Sequence, residues 1–122
     1  MEVFIRLFTE YPITKTFFPS FESLSTEELR VAALFKAHVI NFMSGFNMVV
    51  TEMEHVDVAI AVCNKIGNSH APRFIKEEHF HAARIIMLNL LKEELKVSEA
   101  SLTSWKRFLN FMYQHIFSQL NK

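Results

Sequence analysis

The sequence predicts an all-α protein, for two reasons. Apolar residues recur at intervals of three and four along most of the chain, as they do on one face of a helix. The chain has only two glycines and three prolines, and it contains no run of strand length that alternates between apolar and polar residues. Since 122 residues suit one core and no linker or repeat interrupts them, we expect a single domain over residues 1–122.

The first segment predicts a short amphipathic helix that stops near Pro12. One helical face is formed by the apolar residues at its i, i+3, i+4 and i+7 positions, which are Phe4, Leu7, Phe8 and Tyr11. Proline disfavours helix at the residue before it, so Pro12 marks a turn or a new helix start. The aromatic stretch 13–24 follows and is interrupted by Pro19.

A long apolar run is predicted to form the next helix. It is preceded by Ser25-Thr26-Glu27-Glu28, which has the spacing of a capping box. One face of the run carries Phe35, His38, Val39, Phe42, Phe46 and Val49. A polar break follows at residues 51–57.

Three more helices are predicted in the second half of the chain. The first ends at Pro72, and its apolar stripe comprises Ala59, Val62, Cys63, Ile66 and His70. The second spans residues 78–96. Ser98 can cap the last, which runs to about Leu120.

Two of these apolar stripes contain a histidine. His38 and His70 lie 32 residues apart (70 minus 38) on separate predicted helices. A lone histidine on an apolar face is more often a hydrogen-bonded core residue than a metal ligand. Two such histidines need a partner inside the protein, and an iron held between the helices would supply one.

Composition excludes several classes of protein. A formal net charge of zero argues against a nucleic-acid binder, which would carry a basic face, and 50% hydrophobic residues argue against disorder. Thirteen phenylalanines indicate either a large core or one that surrounds a flat apolar group. Cys63 is the single cysteine, the N-terminus does not resemble a signal peptide, and no apolar run is long enough to span a bilayer. We therefore expect a cytoplasmic protein without membrane or nucleic-acid partners.

Five segments, taken in order, resemble parts of a globin chain. Residues 3–12 resemble the end of helix B running into helix C, and residues 17–21 resemble the corner after helix C. Phe35-Lys36-Ala37-His38 resembles the helix E motif with the distal histidine, and residues 68–75 resemble the proximal histidine and the bend after helix F. Residues 105–108 resemble helix H of invertebrate globins. The resemblance covers essentially the whole chain and implies a three-on-three helical sandwich around a heme pocket.

The resemblance also implies a cofactor and roles for particular residues. Heme b would be held by His70 as the proximal iron ligand, with the Ser69 hydroxyl accepting the other ring N–H. His38 would be the distal histidine, able to act as a sixth ligand. The other expected heme contacts are Phe4, Phe18, Phe42, Ile66 and Ile75.

The function that the resemblance implies is reversible binding of dioxygen or another diatomic gas, for transport, storage or scavenging, without enzymatic activity. Three alternatives stay open. One is a heme-dependent redox enzyme, either a nitric-oxide dioxygenase or a peroxidase-like protein. The others are a gas or redox sensor acting through a partner and a globin-shaped interaction module without heme.

Two features depart from the family pattern. Nothing in the sequence corresponds to helix A or to the start of helix B, so we expect an N-terminally shortened globin. An apolar strip on helices E and H, which includes Val31, Met43 and Phe111, would then be open and could form a two-fold homodimer. In addition, Phe42 stands where globins usually carry a smaller aliphatic residue, which predicts a tight distal pocket.

Overall fold

The computed structural model describes residues 1–73 and 75–121. Within these ranges the chain forms six α-helices: α1 (Glu2–Glu10), α2 (Thr26–Val31), α3 (Ala33–Thr51), α4 (Val56–His70), α5 (Glu77–Glu93) and α6 (Glu99–Leu120). Three short 3-10 helices join them at Pro12–Phe17, Glu52–Glu54 and Ala71–Arg73. The described residues contain no strand, so the all-α prediction is confirmed.

Serine caps begin two of the helices, as the sequence predicts. The backbone N–H of Glu28 donates to the Ser25 hydroxyl over 3.1 Å, and the backbone N–H of Ser25 donates to the Glu28 carboxylate over 3.1 Å. This reciprocal pair is the capping box at the start of α2. At the start of α6, the N–H of Ser101 donates to the Ser98 hydroxyl over 3.1 Å.

The predicted long helix after Ser25 is in fact two helices. Ala32 has extended backbone angles, φ −74° and ψ 123°, and separates α2 from α3. Leu29 and Phe35 are six residues apart, so in one continuous helix they would point about 120° apart. The bend at Ala32 lets both enter the same core, where Leu29 is 2% exposed and Phe35 is fully buried.

Helix α5 ends at Glu93, three residues before the predicted boundary at 96. Lys96 has a positive φ of 50°, and the N–H of Val97 donates back to the Leu91 carbonyl over 3.2 Å. This hydrogen bond joins residues six positions apart, one more than in a Schellman motif, and with the left-handed Lys96 it closes the end of the helix without a glycine.

Two apolar clusters form the core. The first joins α1, α2, α3 and α5 around Phe4, Phe8 and Phe35. The second joins α3, α4 and α6 around Val49, Cys63 and other buried side chains, which are Ala59, Met112, Tyr113 and Ile116. Gly67 lets α4 approach α6 closely, because an added Cβ there would overlap the backbone carbonyl oxygen of Ile116.

The apolar strip expected on the outer surface is open in part. Val31 and Met43 are 75% and 51% exposed, as the strip requires. Phe111 instead packs against the second cluster and is only partly exposed. None of the helices in the described ranges is long and apolar enough to cross a membrane.

Candidate functional site

A cavity of about 480 Å³ lies between the two core clusters. Helices α3 and α4 supply His38 and His70 to its wall, while α1, α5 and α6 contribute mostly apolar side chains. Its volume falls within the range of small-molecule and cofactor sites. All seven residues that the sequence analysis places at the site line this one cavity: Phe4, Phe18, His38, Phe42, Ile66, His70 and Ile75.

His38, in the wall of this cavity, has a ring nitrogen without a hydrogen-bond partner among the described residues. This atom, Nε2, is buried. Aromatic rings hold the imidazole from two sides, with ring centres 4.6 Å away at Phe4 and 5.0 Å away at Phe18. A buried polar atom without a partner is costly, so its position points to a ligand inside the cavity.

His70 is held in one tautomer by the end of its own helix. Its Nδ1 lies 2.7 Å from the carbonyl oxygen of Ile66, one turn earlier in α4. Because a carbonyl can only accept, Nδ1 carries the proton and Nε2 keeps its lone pair. Ser69, the expected acceptor, lies farther from Nδ1 at 3.2 Å and donates its own hydrogen to Ile66 over 2.9 Å.

The surroundings of both imidazoles favour the neutral form, because they lower the pKa of each ring. Burial lowers the pKa of His38, and the nearby His70 and Arg73 lower it further. Burial also lowers the pKa of His70, although the hydrogen bond to Ile66 acts in the opposite direction. A neutral imidazole with a free nitrogen lone pair is the form that binds a metal.

Aromatic rings crowd the His38 side of the cavity. The ring centres of Phe4 and Phe42 are 4.9 Å apart and nearly perpendicular, and Phe42 also stacks on Phe46 at 6.1 Å. On the other side, the ring of Phe80 packs edge-to-face against His70 at 5.3 Å. The tight pocket expected from Phe42 therefore has a structural basis in its contact with Phe4.

Several residues of the cavity wall were not predicted from the sequence, and three of them carry polar groups near the two histidines or their neighbours. Arg73 lines the cavity, and its positive charge lowers the pKa of both His38 and His70. His79 lines the cavity with its ring 4.6 Å from Phe17. Tyr113 donates its hydroxyl hydrogen to the Phe80 carbonyl over 2.6 Å. Periodicity marks such residues as inward or outward, but it does not say which core position borders a cavity.

Comparison with known proteins identifies the family. The family model described as Globin matches residues 1–116. The chain belongs to the globin family. The order of the five segments noted in the sequence is thus explained, and the predicted fold class is confirmed.

The curated relatives of this globin are distant in sequence. It is 25% identical to Cytoglobin-2 of Danio rerio over 118 residues, which cover 93% of this chain and 66% of the relative. It is 25% identical to Cytoglobin-2 of Oryzias latipes over 121 residues, and 27% identical to Cytoglobin-1 of the same organism over 93 residues. These two alignments cover 95% and 75% of this chain, and 67% and 52% of the relatives. The chain therefore spans between about half and two thirds of the length of these proteins.

Solved structures show the same fold. The hexa-coordinate hemoglobin of Drosophila melanogaster superposes with a TM-score of 0.87 at 23% identity, over 94% of this chain and 76% of that one. A hexacoordinated heme protein from an anhydrobiotic tardigrade superposes with a TM-score of 0.89 at 18% identity, over 99% of this chain and 80% of that one. At these identities the likeness establishes the globin fold alone.

The residues around the cavity fit a heme. Its walls are largely apolar and aromatic, as a flat apolar ring requires, and His70 keeps a free Nε2 on its lining. The unpaired Nε2 of His38 is a second nitrogen in need of a partner. Across the described residues, no group of three or more His, Cys, Asp or Glu side chains could hold a metal without a cofactor. Two histidines are enough when a porphyrin supplies the other four nitrogens.

Proposed function

We propose that this globin binds heme b through Nε2 of His70 and reversibly binds dioxygen or another diatomic gas on the His38 side of the cavity. The observation that carries the proposal is the hydrogen bond from Nδ1 of His70 to the Ile66 carbonyl, 2.7 Å long. It fixes the ring orientation and tautomer, and it raises the basicity of Nε2, as outer-shell hydrogen bonds do for metal-bound histidines. When bound, heme supplies an iron that coordinates a diatomic gas.

His38 would control the gas-binding side of the cavity. With its Nε2 protonated, the ring can donate a hydrogen bond to a ligand that carries partial negative charge. Phe4 and Phe42 leave little room beside it, which favours small ligands and keeps water out. A hydrogen bond in such a dry site contributes more than one exposed to water.

A second candidate function uses the same histidine differently. In the other tautomer, Nε2 of His38 has a free lone pair and would act as a sixth ligand when no gas is bound. The Nε2 atom of His38 is buried without a hydrogen-bond partner, and a coordinate bond to the iron would give it one, which supports this role. Two structural neighbours are described as hexa-coordinate, which is in keeping with the idea. A gas would then have to displace His38 before it binds.

Heme b is proposed because Cys63, the single cysteine, is buried in the second core cluster and does not line the cavity, so a thioether link to the porphyrin is not available. A cytoplasmic location is proposed from the composition alone. A carrier, store or scavenger needs no group beyond those described, whereas a redox enzyme would also need an electron donor.

The proximal role is tested by removing the imidazole. His70→Gly should lower heme retention strongly, and added imidazole should restore part of it by refilling the space. The readouts are the Soret band and the rate of heme transfer to an acceptor globin. The matched control is His55→Leu, which removes an exposed histidine outside the cavity. Unchanged heme retention and spectrum in His70→Gly would overturn the assignment.

The distal role is tested with His38→Leu. If His38 donates a hydrogen bond, its loss costs about 1–3 kcal/mol, which corresponds to roughly a 5- to 150-fold faster dissociation of dioxygen. If His38 is a sixth ligand, the ferrous spectrum without gas changes from six-coordinate to five-coordinate. If neither property changes, His38 has neither role.

A further inference from the structure

Three phenylalanine rings surround the imidazole of His38, and one of them lies outside the cavity. The ring centre of Phe21 is 5.9 Å from that of His38. The other two rings, Phe4 and Phe18, also line the cavity, whereas Phe21 is outside its wall and only 6% exposed. Phe21 does not touch a ligand in the cavity, so any effect that it has on one passes through a neighbouring side chain.

The ring of Phe21 is fixed on two sides by other rings. It stacks on Phe18 with ring centres 5.9 Å apart, and it meets Phe35 edge-on at 5.4 Å. Phe35 is fully buried and precedes His38 by three residues in α3, so both project from neighbouring positions on one helix face. The ring of Phe21 therefore lies against the stretch of α3 that presents His38 to the cavity.

The loop that carries Phe21 is also held in place. The N–H groups of Phe21 and Glu22 both donate to the Phe18 carbonyl, over 2.8 and 3.0 Å. The N–H of Leu24 donates to the Phe21 carbonyl over 3.0 Å. The ammonium group of Lys15 donates to the Leu24 carbonyl over 2.5 Å, which ties the loop to the preceding 3-10 helix. A packed ring on a loop held in this way yields little when a neighbouring side chain moves against it.

We infer that Phe21 is a positioning residue that holds His38 toward the cavity and so sets how strongly His38 acts on a bound gas. The inference rests on the proposed function, because it needs His38 either to donate a hydrogen bond to the gas or to coordinate the iron. A side chain that is restrained beforehand loses less freedom when it makes either interaction, which strengthens that interaction. Without the ring of Phe21, His38 would have space to retreat, and both interactions would weaken.

The test compares Phe21→Leu with the wild type, both loaded with heme. If His38 donates a hydrogen bond, dioxygen should dissociate about 3- to 10-fold faster, which is less than in His38→Leu because the imidazole is still present. If His38 is a sixth ligand, the six-coordinate fraction of the ferrous spectrum without gas should fall, and gas should associate faster. If Phe21→Leu changes neither property while His38→Leu has its expected effect, the inference is overturned and the proposed function stands.

Phe8→Leu is the matched control. Phe8 belongs to the same core cluster as Phe21, is also 6% exposed, and contacts the rings of Phe18 and Phe35. Its side chain is outside the cavity wall, and none of the ring contacts among the described residues joins it to His38. Both variants should lose similar stability in urea, but Phe8→Leu should leave the spectrum and gas dissociation unchanged. Equal effects of the two variants on gas dissociation would point to general loosening of the cluster and would overturn the inference.

The double variant Phe21→Leu/His38→Leu shows whether Phe21 acts through His38. Adding Phe21→Leu to His38→Leu should alter gas dissociation by less than about 2-fold, because the side chain that Phe21 positions is then gone. An effect as large as in the wild-type background would assign the action to Phe18 and would overturn the inference. If Phe21→Leu loses heme too fast to measure, Phe21→Met replaces it, since methionine fills most of the space with a flexible chain. A wild type without a Soret band, or His38→Leu without effect, would overturn the proposed role of the site itself, and the inference with it.

Discussion

Gly67 of α4 packs directly against the backbone of Ile116 in α6. A Cβ at Gly67 would overlap the Ile116 carbonyl oxygen and would lie 3.0 Å from Cβ of Gln119. Gly67 is buried and sits one position after Ile66, the residue whose carbonyl holds His70. The close approach of these two helices therefore helps to set the position of the candidate proximal histidine.

Gly67→Ala should consequently destabilise the protein. Alanine is the better helix former by about 1 kcal/mol, but forcing a methyl group against backbone costs about 1–3 kcal/mol and displaces α6 from α4. Urea unfolding measures the loss. The control is Asn68→Ala, an exposed neighbour where only helix propensity changes. If Gly67→Ala is as stable as that control, the two helices do not pack as closely as described.

The capping box at the start of α2 gives a second prediction. Ser25→Ala removes the acceptor for the Glu28 N–H and should lower the free energy of unfolding by about 0.5–2 kcal/mol. Ser25→Thr retains a hydroxyl and should recover most of the loss. Equal stability of Ser25→Ala and the wild type in urea unfolding would show that the cap contributes nothing.

The same capping box predicts a dependence on pH. The N–H of Ser25, and then its side chain, hold the pKa of Glu28 below its ordinary value of 4.5. Because the folded-state pKa is the lower one, this stabilisation is complete above 4.5 and is lost as the pH falls through the folded-state value. The stability difference between the wild type and Glu28→Gln should therefore shrink in acid. A difference that stays constant with pH would contradict the prediction.

Phe42 should limit the size of ligand that the cavity admits. Phe42→Leu removes the ring that meets Phe4 at 4.9 Å and stacks on Phe46. In the heme-loaded protein, the affinity for butyl isocyanide relative to methyl isocyanide should rise by about 10-fold, as room for the longer chain appears. Phe111→Leu makes the same change outside the cavity lining and should leave the ratio unaltered.

Cys63 should be unreactive in the folded protein. Its side chain is fully buried, and this burial raises the pKa of its thiol to about 11. At mildly alkaline pH the thiolate fraction is then about 100-fold lower than for an ordinary thiol. Labelling with a disulfide reagent should therefore follow unfolding in urea. Rapid labelling without denaturant would mean that the second core cluster opens readily.

Much of the helical framework could be predicted from the sequence. Capping and periodicity depend on residues three or four apart, so Ser25, Ser98 and the apolar stripes marked most of the helices found in the structure. The break at Ala32 could not be predicted, because no proline or glycine marks it. It arises from the need to bury both Leu29 and Phe35 in one core.

The candidate site, like the helical framework, could be predicted from the sequence only in part. His38 and His70 could be selected from the sequence because each interrupts an apolar stripe with a polar ring. Only the tertiary structure brings them to one cavity, assigns the Nδ1 proton of His70 to the Ile66 carbonyl rather than to Ser69, and adds Arg73 to the wall. Such choices depend on contacts between helices and on the geometry at helix ends. The spacing of residues along a single helix carries no information about either.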